Sequence, residues 1–549
     1  MSQGHNGTSQ ESVNDILLVL SQQDSIDSDL MTRYLNRLDE EWVEGGAREQ
    51  VLHLLQSNEG RSQAAAIRVL TKLATDADLE CLEDFVADPT ISDMPKLSLA
   101  LILKSLNSEM ADDGLLEYLN DGSGAIRQMQ SHLLELAGKN MLGVETILND
   151  FQHMSEERQL GFIAWLGHSG DPRAASILVP LLDLTTTKLV VAVIEALEEL
   201  EGLVVTLSLP ALRRFIGSTY NLQLKDLARA AVQRLTAQLM IGPEELRLMD
   251  RRFTFSEHEA RVSPLDSIGN QLVMLSWYRP DRMLQGINLL INADSGLRDC
   301  YSIDDISQEQ WASLVQDFHA HGYNSFKVSF AYARALAIDA YGQKRRLRAH
   351  LPLTYSLWRP HIEGHDSREK KKKLIASLVA AKPIPLTHLD SSYVSKGGEL
   401  LELPEFSTWF YDPLDRIVPY ITRYMDMFPR NLNIAQLERL QLSPAQEEKL
   451  IQGLDQLVEE ALDDLIDTEW RFTYESLLRR QAAFFQQTDQ SGIAHVIQGV
   501  AAALHPQSPL PLPQQTFPQA LLRLSIKHGP LRLMLEALRS ERINVPFAD

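Results

Sequence analysis

Residues Gly170 to Leu200 read GDPRAASILVPLLDLTTTKLVVAVIEALEEL, and they decide how the whole chain is organised. Asp171 is placed to cap a helix. Pro172 suits the first helical position, where its missing N–H has no partner, and Ile177, Leu178, Leu181 and Leu182 make one apolar face. A second helix follows and ends in VIEALEELEG. The stretch reads as one helix pair of a scaffold rather than as a catalytic loop.

The same pattern recurs upstream and downstream. AAAIRVLTKLA, SLALILKSLN, QSHLLELAGK, GFIAWLGHSGD, VIEALEELEG and ARAAVQRLTAQ are helix ends with a small or apolar residue three positions before a leucine. Leu73, Leu106, Leu136, Leu166, Leu200 and Leu235 are therefore spaced by 33, 30, 30, 34 and 35 residues, a period in the range of helical solenoids. Second helices such as DLECLEDFVAD, DDGLLEYLND and SLPALRRFI lie between them. On these residues the N-terminal part, 12–245, resembles the short bacterial type of HEAT-like repeat. Neither the W-x-x-L-G-x-x-Y pattern of tetratricopeptide repeats nor the T-P-L-H of ankyrin repeats is present. The resemblance implies an α-solenoid in a bacterial protein and carries no activity with it.

Composition sets the outer limits. A chain of 549 residues exceeds what one core usually organises, and 44% hydrophobic with 23% charged residues is ordinary for a globular protein. The net charge of −22 disfavours general nucleic-acid binding, which rests on a positive face. Cys81 and Cys300 stand in no metal or disulfide spacing, which suits a reducing cytoplasm. The expected location is cytoplasmic: the first residues lack a basic leader, and no window is apolar enough to span a membrane. Residues 1–11 are expected to be a flexible tail in which the sequon at Asn6 has no role.

The pattern changes at about 250. QLVMLSWYRPDRMLQGINLLIN predicts two strands joined by a turn at Arg279-Pro280-Asp281-Arg282, followed by a helix over 307–320, a short strand near 325–328 and a helix through AYARALAIDAYGQ. Residues 250–365 thus read as a small α+β module. Residues 366–549 read as a C-terminal helical region. It includes a long amphipathic segment over 444–487, as one helix or broken near Thr468, and a proline-rich connector over 505–519, with a terminal helix from about Gln519 to Arg539.

Candidate chemistry is sparse. Glu459, Asp463 and Asp467 are four apart on a helix, with Glu460, Asp464 and Glu469 nearby, and read as a solvated acidic face. His361 and His365 are four apart, with His319 and His321 before them, but Pro360 and Gly364 argue against the helix a zinc pair needs. Asp294, Arg298, Asp299 and Cys300 follow a predicted strand, where a loop carries either a polar site or a surface ion pair. Lys344, Arg345, Arg346 and Arg348, and Lys370, Lys371, Lys372 and Lys373 behind Arg368, form two basic clusters. Tyr355 and Trp358 lie between them, an arrangement suited to an acidic partner or single-stranded nucleic acid. No catalytic residue, metal ligand or cofactor motif is assigned: GxSxG, HExxH, GxxxxGK[ST] and GxGxxG are absent.

The expectation is a mainly α protein: an N-terminal HEAT-like α-solenoid, a small central α+β module and a C-terminal helical region. Its expected role is a non-catalytic scaffold for a protein partner. The alternatives are an enzyme or ligand-binding protein with its site in 250–365, or nucleic-acid contact through the basic clusters.

Overall fold

The apolar periods of the sequence become helices, and the alternating stretch in the middle becomes a sheet. The computed structural model describes residues 12–22, 28–43, 46–57, 59–111, 113–139, 141–200, 205–238, 256–320, 322, 324–347, 349–364, 368–376, 378, 395–428 and 444–544. The expected tail 1–11 with its sequon, His321, Arg348 and His365 lie outside the described residues. The described chain is mainly helical with one small five-stranded antiparallel sheet. It divides into two compact units, one up to Leu133 and one from Leu134 onward. No helix among the described residues is long and apolar enough to cross a membrane.

The first unit is built from the helices Val13–Gln22, Ser28–Glu40, Ala47–Leu55 and Gly60–Leu73, short helices over 79–116, and most of the longer helix Gly122–Lys139. Ile16, Leu38, Val51, Leu55, Val69, Leu70 and Leu82 form its core. Asp78 is its polar anchor: the carboxylate accepts the Thr75 N–H at 2.8 Å, Trp42 Nε1–H at 3.2 Å and an Arg48 N–H at 3.0 Å. Burial opposes ionisation of Asp78, and these donors overcome it, holding the carboxyl below the usual range.

In the second unit, the helix Glu156–His168 packs on Thr187–Glu199, which packs on Leu222–Gln238, while Ala174–Leu181 packs on Val205–Ser218. Leu166, Leu200 and Leu235, three of the recurring leucines, are buried. Lys188 pairs with Glu156 at 3.2 Å and Arg234 with Glu198 at 2.7 Å, tying successive helices of one row. Asp171 differs from expectation. Its carboxylate accepts the Arg173 N–H at 2.8 Å in a turn that includes Pro172, and the helix starts only at Ala174.

The sheet comprises β1 (Ser256–Val262), β2 (Asn270–Tyr278), β3 (Leu284–Asn292), β4 (Gly296–Ile306) and β5 (Phe326–Lys327), in the order β4-β3-β2-β1-β5. Tyr278 pairs with Leu284, so the expected Arg279–Arg282 turn closes the β2–β3 hairpin. Side chains alternate between the two faces. Met274, Leu284 and Ile303 pack with Trp311 and Val315 of the helix Gln308–Ala320. The opposite face, with Val273, Leu275, Trp277 and Cys300, meets the helices Phe330–Arg346 and Leu353–Glu363.

Two expectations are corrected here. Arg298, Asp299 and Cys300 belong to β4, not to a loop, because Gly296 at φ 77° turns the chain tightly back after β3. His361 is helical despite Pro360, which sits in the last turn of Leu353–Glu363 and costs that helix a single backbone bond.

At the C-terminal end the long segment is broken into Pro444–Leu465 and Thr468–Gln487, because Asp467 caps the second helix by accepting the Trp470 N–H at 2.8 Å. The proline-rich segment is partly helical: Leu512–Gln514 is a short 3-10 turn, and the last helix, Thr516–Asn544, starts ahead of the expected Gln519.

Gly167 marks a close approach within the helix row, since a Cβ there would lie 2.9 Å from both Cα and Cβ of Ala196. Gly167→Leu is expected to destabilise the second unit by about 1–3 kcal/mol through overpacking. Gly161→Ala, on the same helix with nothing within 4 Å of its Cβ, should be neutral or stabilising by up to about 1 kcal/mol. Urea unfolding of both variants checks the contrast.

Candidate functional site

Three elements meet where β4 runs past two helices, and buried polar groups fix their positions. Glu145, on the helix Met141–His153, is 8% exposed. Its carboxylate accepts the Ser302 N–H at 3.0 Å and the Thr354 hydroxyl at 3.0 Å. Ser302 Oγ in turn accepts Trp358 Nε1–H at 2.7 Å. Two residues along β4, and so on the same face, Asp304 accepts the Met141 N–H at 2.9 Å, satisfying a free donor at that helix's start. Asp304 also accepts its neighbour's N–H, from Asp305, at 2.8 Å and an Arg279 N–H at 3.1 Å.

A second brace is ionic. Asp183 lies in the quoted stretch, two residues after the helix Ala174–Leu181, and both its carboxylate oxygens accept from Arg359, at 2.7 and 3.0 Å. Arg359 also donates to Glu363 at 2.8 Å, lies 4.8 Å above the Tyr341 ring, and is nearly buried. Lys371 donates to the other oxygen of Glu363. Burial opposes the charge on Glu363, but Arg359 and Lys371 prevail and hold its pKa at about 2.

Between these braces lies a cavity of about 370 Å³. Ala175, Ser176, Val179 and Pro180 of the quoted stretch form one wall. Met141, Val144, Leu207 and Leu357 add apolar surface, and Arg214, Arg279, Gln285, Asp304 and His361 supply the polar groups. Gln285 pairs with Trp277 across β2 and β3, and Arg279 follows Trp277 by two residues, which brings Gln285 and Arg279 to the cavity side of the hairpin. The Gln285 amide nitrogen is buried and meets no hydrogen-bond acceptor. His361 packs against Trp358 with ring centroids 5.2 Å apart. Burial, and secondarily the charge of Arg214, push its pKa down to about 3, so the imidazole is neutral around pH 7.

The residues singled out from sequence are dispersed. Cys300 is buried on the helix-covered face of β4, and burial pushes its thiol well above the ordinary range, which leaves it a poor nucleophile. Asp299 and Arg298 are exposed, and Arg298 donates to Asn270 at 3.1 Å. Asp294 borders a second cavity of about 310 Å³, with Asp412, Arg416, Asp467, Glu469 and Trp470. Lys344, Arg345 and Arg346 occupy the last turn of Phe330–Arg346, where cations favour the helix dipole. Arg345 lies over the rings of Tyr220 and Tyr341.

Lys370, Lys372 and Lys373 are exposed, whereas Lys371 turns inward to Glu363. Tyr355 and Trp358 are fully buried, so they offer no stacking surface between the basic clusters. Of the acidic run, Glu459 and Asp463 are exposed. Glu460, Asp464 and Asp467 instead meet Arg423, Tyr420 and Arg416 of the helix Leu414–Met425. Among the described residues, no three His, Cys, Asp or Glu side chains gather as a metal site.

Glu145, Asp183, Gln285, Asp304 and Arg359 were not singled out from sequence. The signal for two of them was a charge on an apolar stripe: Glu145 four residues after Met141 and three before Leu148, and Arg359 four after Tyr355 and three before Ile362. No family model, curated protein or solved structure matches this chain.

The depressed pKa of His361 fixes a pH dependence. In the unfolded chain its value returns to about 6.5, so the stability gained from the neutral folded form is complete above that value and is lost as pH falls toward 3. Glu363 acts in the same direction only below about 4.5. His361→Asn is therefore expected to flatten the stability slope between pH 6.5 and 5 by up to about 1.4 kcal/mol per pH unit. His258, whose pKa burial also lowers, leaves a residual slope. Urea midpoints at several pH values read this directly.

Proposed function

We propose that the second unit is a binding module that holds a small, mostly apolar molecule in the cavity bounded by Ala175, Val179, Gln285, Leu357 and His361. The observation that carries this reading is the cavity itself. At about 370 Å³ it falls within the size range of ligand pockets, and apolar walls surround a few convergent polar groups. The braces at Glu145 and Arg359 support it further, because they keep the walls apart without a ligand. The free thiols Cys81 and Cys300 suit the cytoplasmic location proposed with it. Ser176→Trp, which projects an indole into the cavity from the helix Ala174–Leu181, is expected to abolish binding of small apolar probes while leaving the unfolding midpoint within a few degrees. Retained binding in that variant, measured by calorimetry, overturns the reading.

A second reading is favoured by a different observation. The pairs Lys188 with Glu156 and Arg234 with Glu198 join helices 32 and 36 residues apart, close to the period of the leucines. We infer a HEAT-like solenoid scaffold over this region, whose row of helices Glu156–His168, Thr187–Glu199 and Leu222–Gln238 receives a protein partner. Glu195 is exposed on that row. A partner seated there loses affinity with Glu195→Lys and is indifferent to Ser176→Trp; the opposite pattern removes the scaffold reading.

A further inference from the structure

We propose that a patch formed by the turn before the helix Leu222–Gln238 and the end of the helix Phe330–Arg346 docks an acidic protein segment bearing large apolar side chains. The inference rests neither on the cavity nor on Glu195.

The apolar part of the patch is unusually open. Tyr220, Leu222 and Leu347 are 83%, 73% and 59% exposed. Single apolar residues on a surface are ordinary, whereas several gathered together mark a contact area. Arg345 gathers these: its guanidinium lies 5.9 Å from the centre of the Tyr220 ring, and Leu347 follows two residues later as the cap of the same helix. The turn that carries Tyr220 is firmly bonded. The Asn221 side chain accepts the Gln223 and Leu224 N–H groups at 3.0 and 3.3 Å, and the Thr219 N–H donates to the Phe215 carbonyl at 2.8 Å. Tyr220 and Leu222 are therefore displayed from ordered backbone, and docking has little left to order.

Charge identifies the partner. The chain carries a net −22, yet this patch is basic. Lys344 and Arg345 are partly exposed and paired with no carboxylate among the described residues. Arg345 meets only the rings of Tyr220 and Tyr341. Arg346 reaches Asp339 at no better than 4.0 Å, and Asp339 already accepts from Gln343 and Arg480 at 3.0 and 3.5 Å. Lys225 adds a cation on the helix that Leu222 starts, and the carboxylate beside it, Asp226, is paired with Arg229 at 3.0 Å. An acidic partner complements this excess. Leu222 and Leu347 are aliphatic, and Arg345 lies over the one exposed ring, so the patch suits protein side chains better than stacked bases. Tyrosine and arginine are also the residues that most often anchor protein interfaces.

Fluorescence anisotropy of the full chain with labelled octapeptides reads both components. A probe with Phe-Leu flanked by three glutamates on each side is expected to bind at least tenfold more tightly than two counterparts, one with Gly-Ser at its centre and one with glutamines in place of the glutamates. Its affinity should fall as salt is raised. Tyr220→Ser combined with Leu347→Ser should reduce the affinity to that of the Gly-Ser peptide. Lys344→Glu combined with Arg346→Glu should weaken it at least tenfold, whereas Lys372→Glu combined with Lys373→Glu, the same charge change at exposed lysines of the other basic cluster, should change it less than twofold. Unfolding midpoints within a few degrees of wild type report that the variants are folded. Absence of binding, equal binding of the Gly-Ser peptide, or affinity that survives both patch variants overturns the proposal. An eight-nucleotide oligothymidylate that binds as tightly as the acidic probe overturns the protein class of the partner.

Discussion

Placing the Glu145 carboxylate in the interior commits the second unit to one arrangement. An ionised carboxyl away from water is tolerated only where donors surround it. Here the donors come from two other elements, the backbone N–H of Ser302 on β4 and the hydroxyl of Thr354 on the helix Leu353–Glu363. Moving any one element leaves a buried charge without its partners, so the helix Met141–His153, the sheet and the helix Leu353–Glu363 are fixed together. Asp304 repeats the device one alternation further along β4, at the start of the same helix. The cavity is the space these fixed elements leave between them.

Arg359 acts on the opposite wall. Its partners Asp183 and Glu363 lie 176 and 4 residues away, so one guanidinium joins the turn after the helix Ala174–Leu181 to its own helix. Breaking a buried pair from one side costs far more than the pair contributes by itself, because the orphaned charge remains inside. The value of the contact lies in position. Pro180 and Pro360, near the two ends of this bridge, both line the cavity, and the bridge sets the distance between the walls that carry them.

Local order was legible in the sequence, and long-range placement was not. The β2–β3 hairpin follows from alternating apolar residues on either side of a proline-containing turn, and the apolar face at Ile177, Leu178, Leu181 and Leu182 follows from helical spacing. Those signals sit within a few residues of one another. β4 was misread because its polar face, with Arg298, Asp299 and Tyr301, looks like a loop until β3 is beside it. Leu353–Glu363 was misread because Pro360 counts against a helix locally, while burial of Trp358 and Ile362 outweighs one lost backbone bond. The cavity was hidden for a deeper reason: its polar groups come from Arg214, Arg279, Gln285, Asp304 and His361, and no sequence window holds them together.

The opening stretch therefore has two roles that sequence reasoning had set against each other. Ile177, Leu178, Leu181 and Leu182 bury themselves as members of a helical array, while Ser176 and Val179, on the other side of the same helix, face the cavity. A helix offers both because its 3.6-residue period separates the two sets of side chains. The helix Leu353–Glu363 packs against both this helix and β4, so the cavity has helices on one side and the sheet on the other. The polar groups come from the sheet and its hairpin turn (Arg279, Gln285, Asp304), from the helix Leu353–Glu363 (His361) and from Arg214 on the helix Val205–Ser218, and Glu145 and Arg359 hold the sheet and Leu353–Glu363 in place.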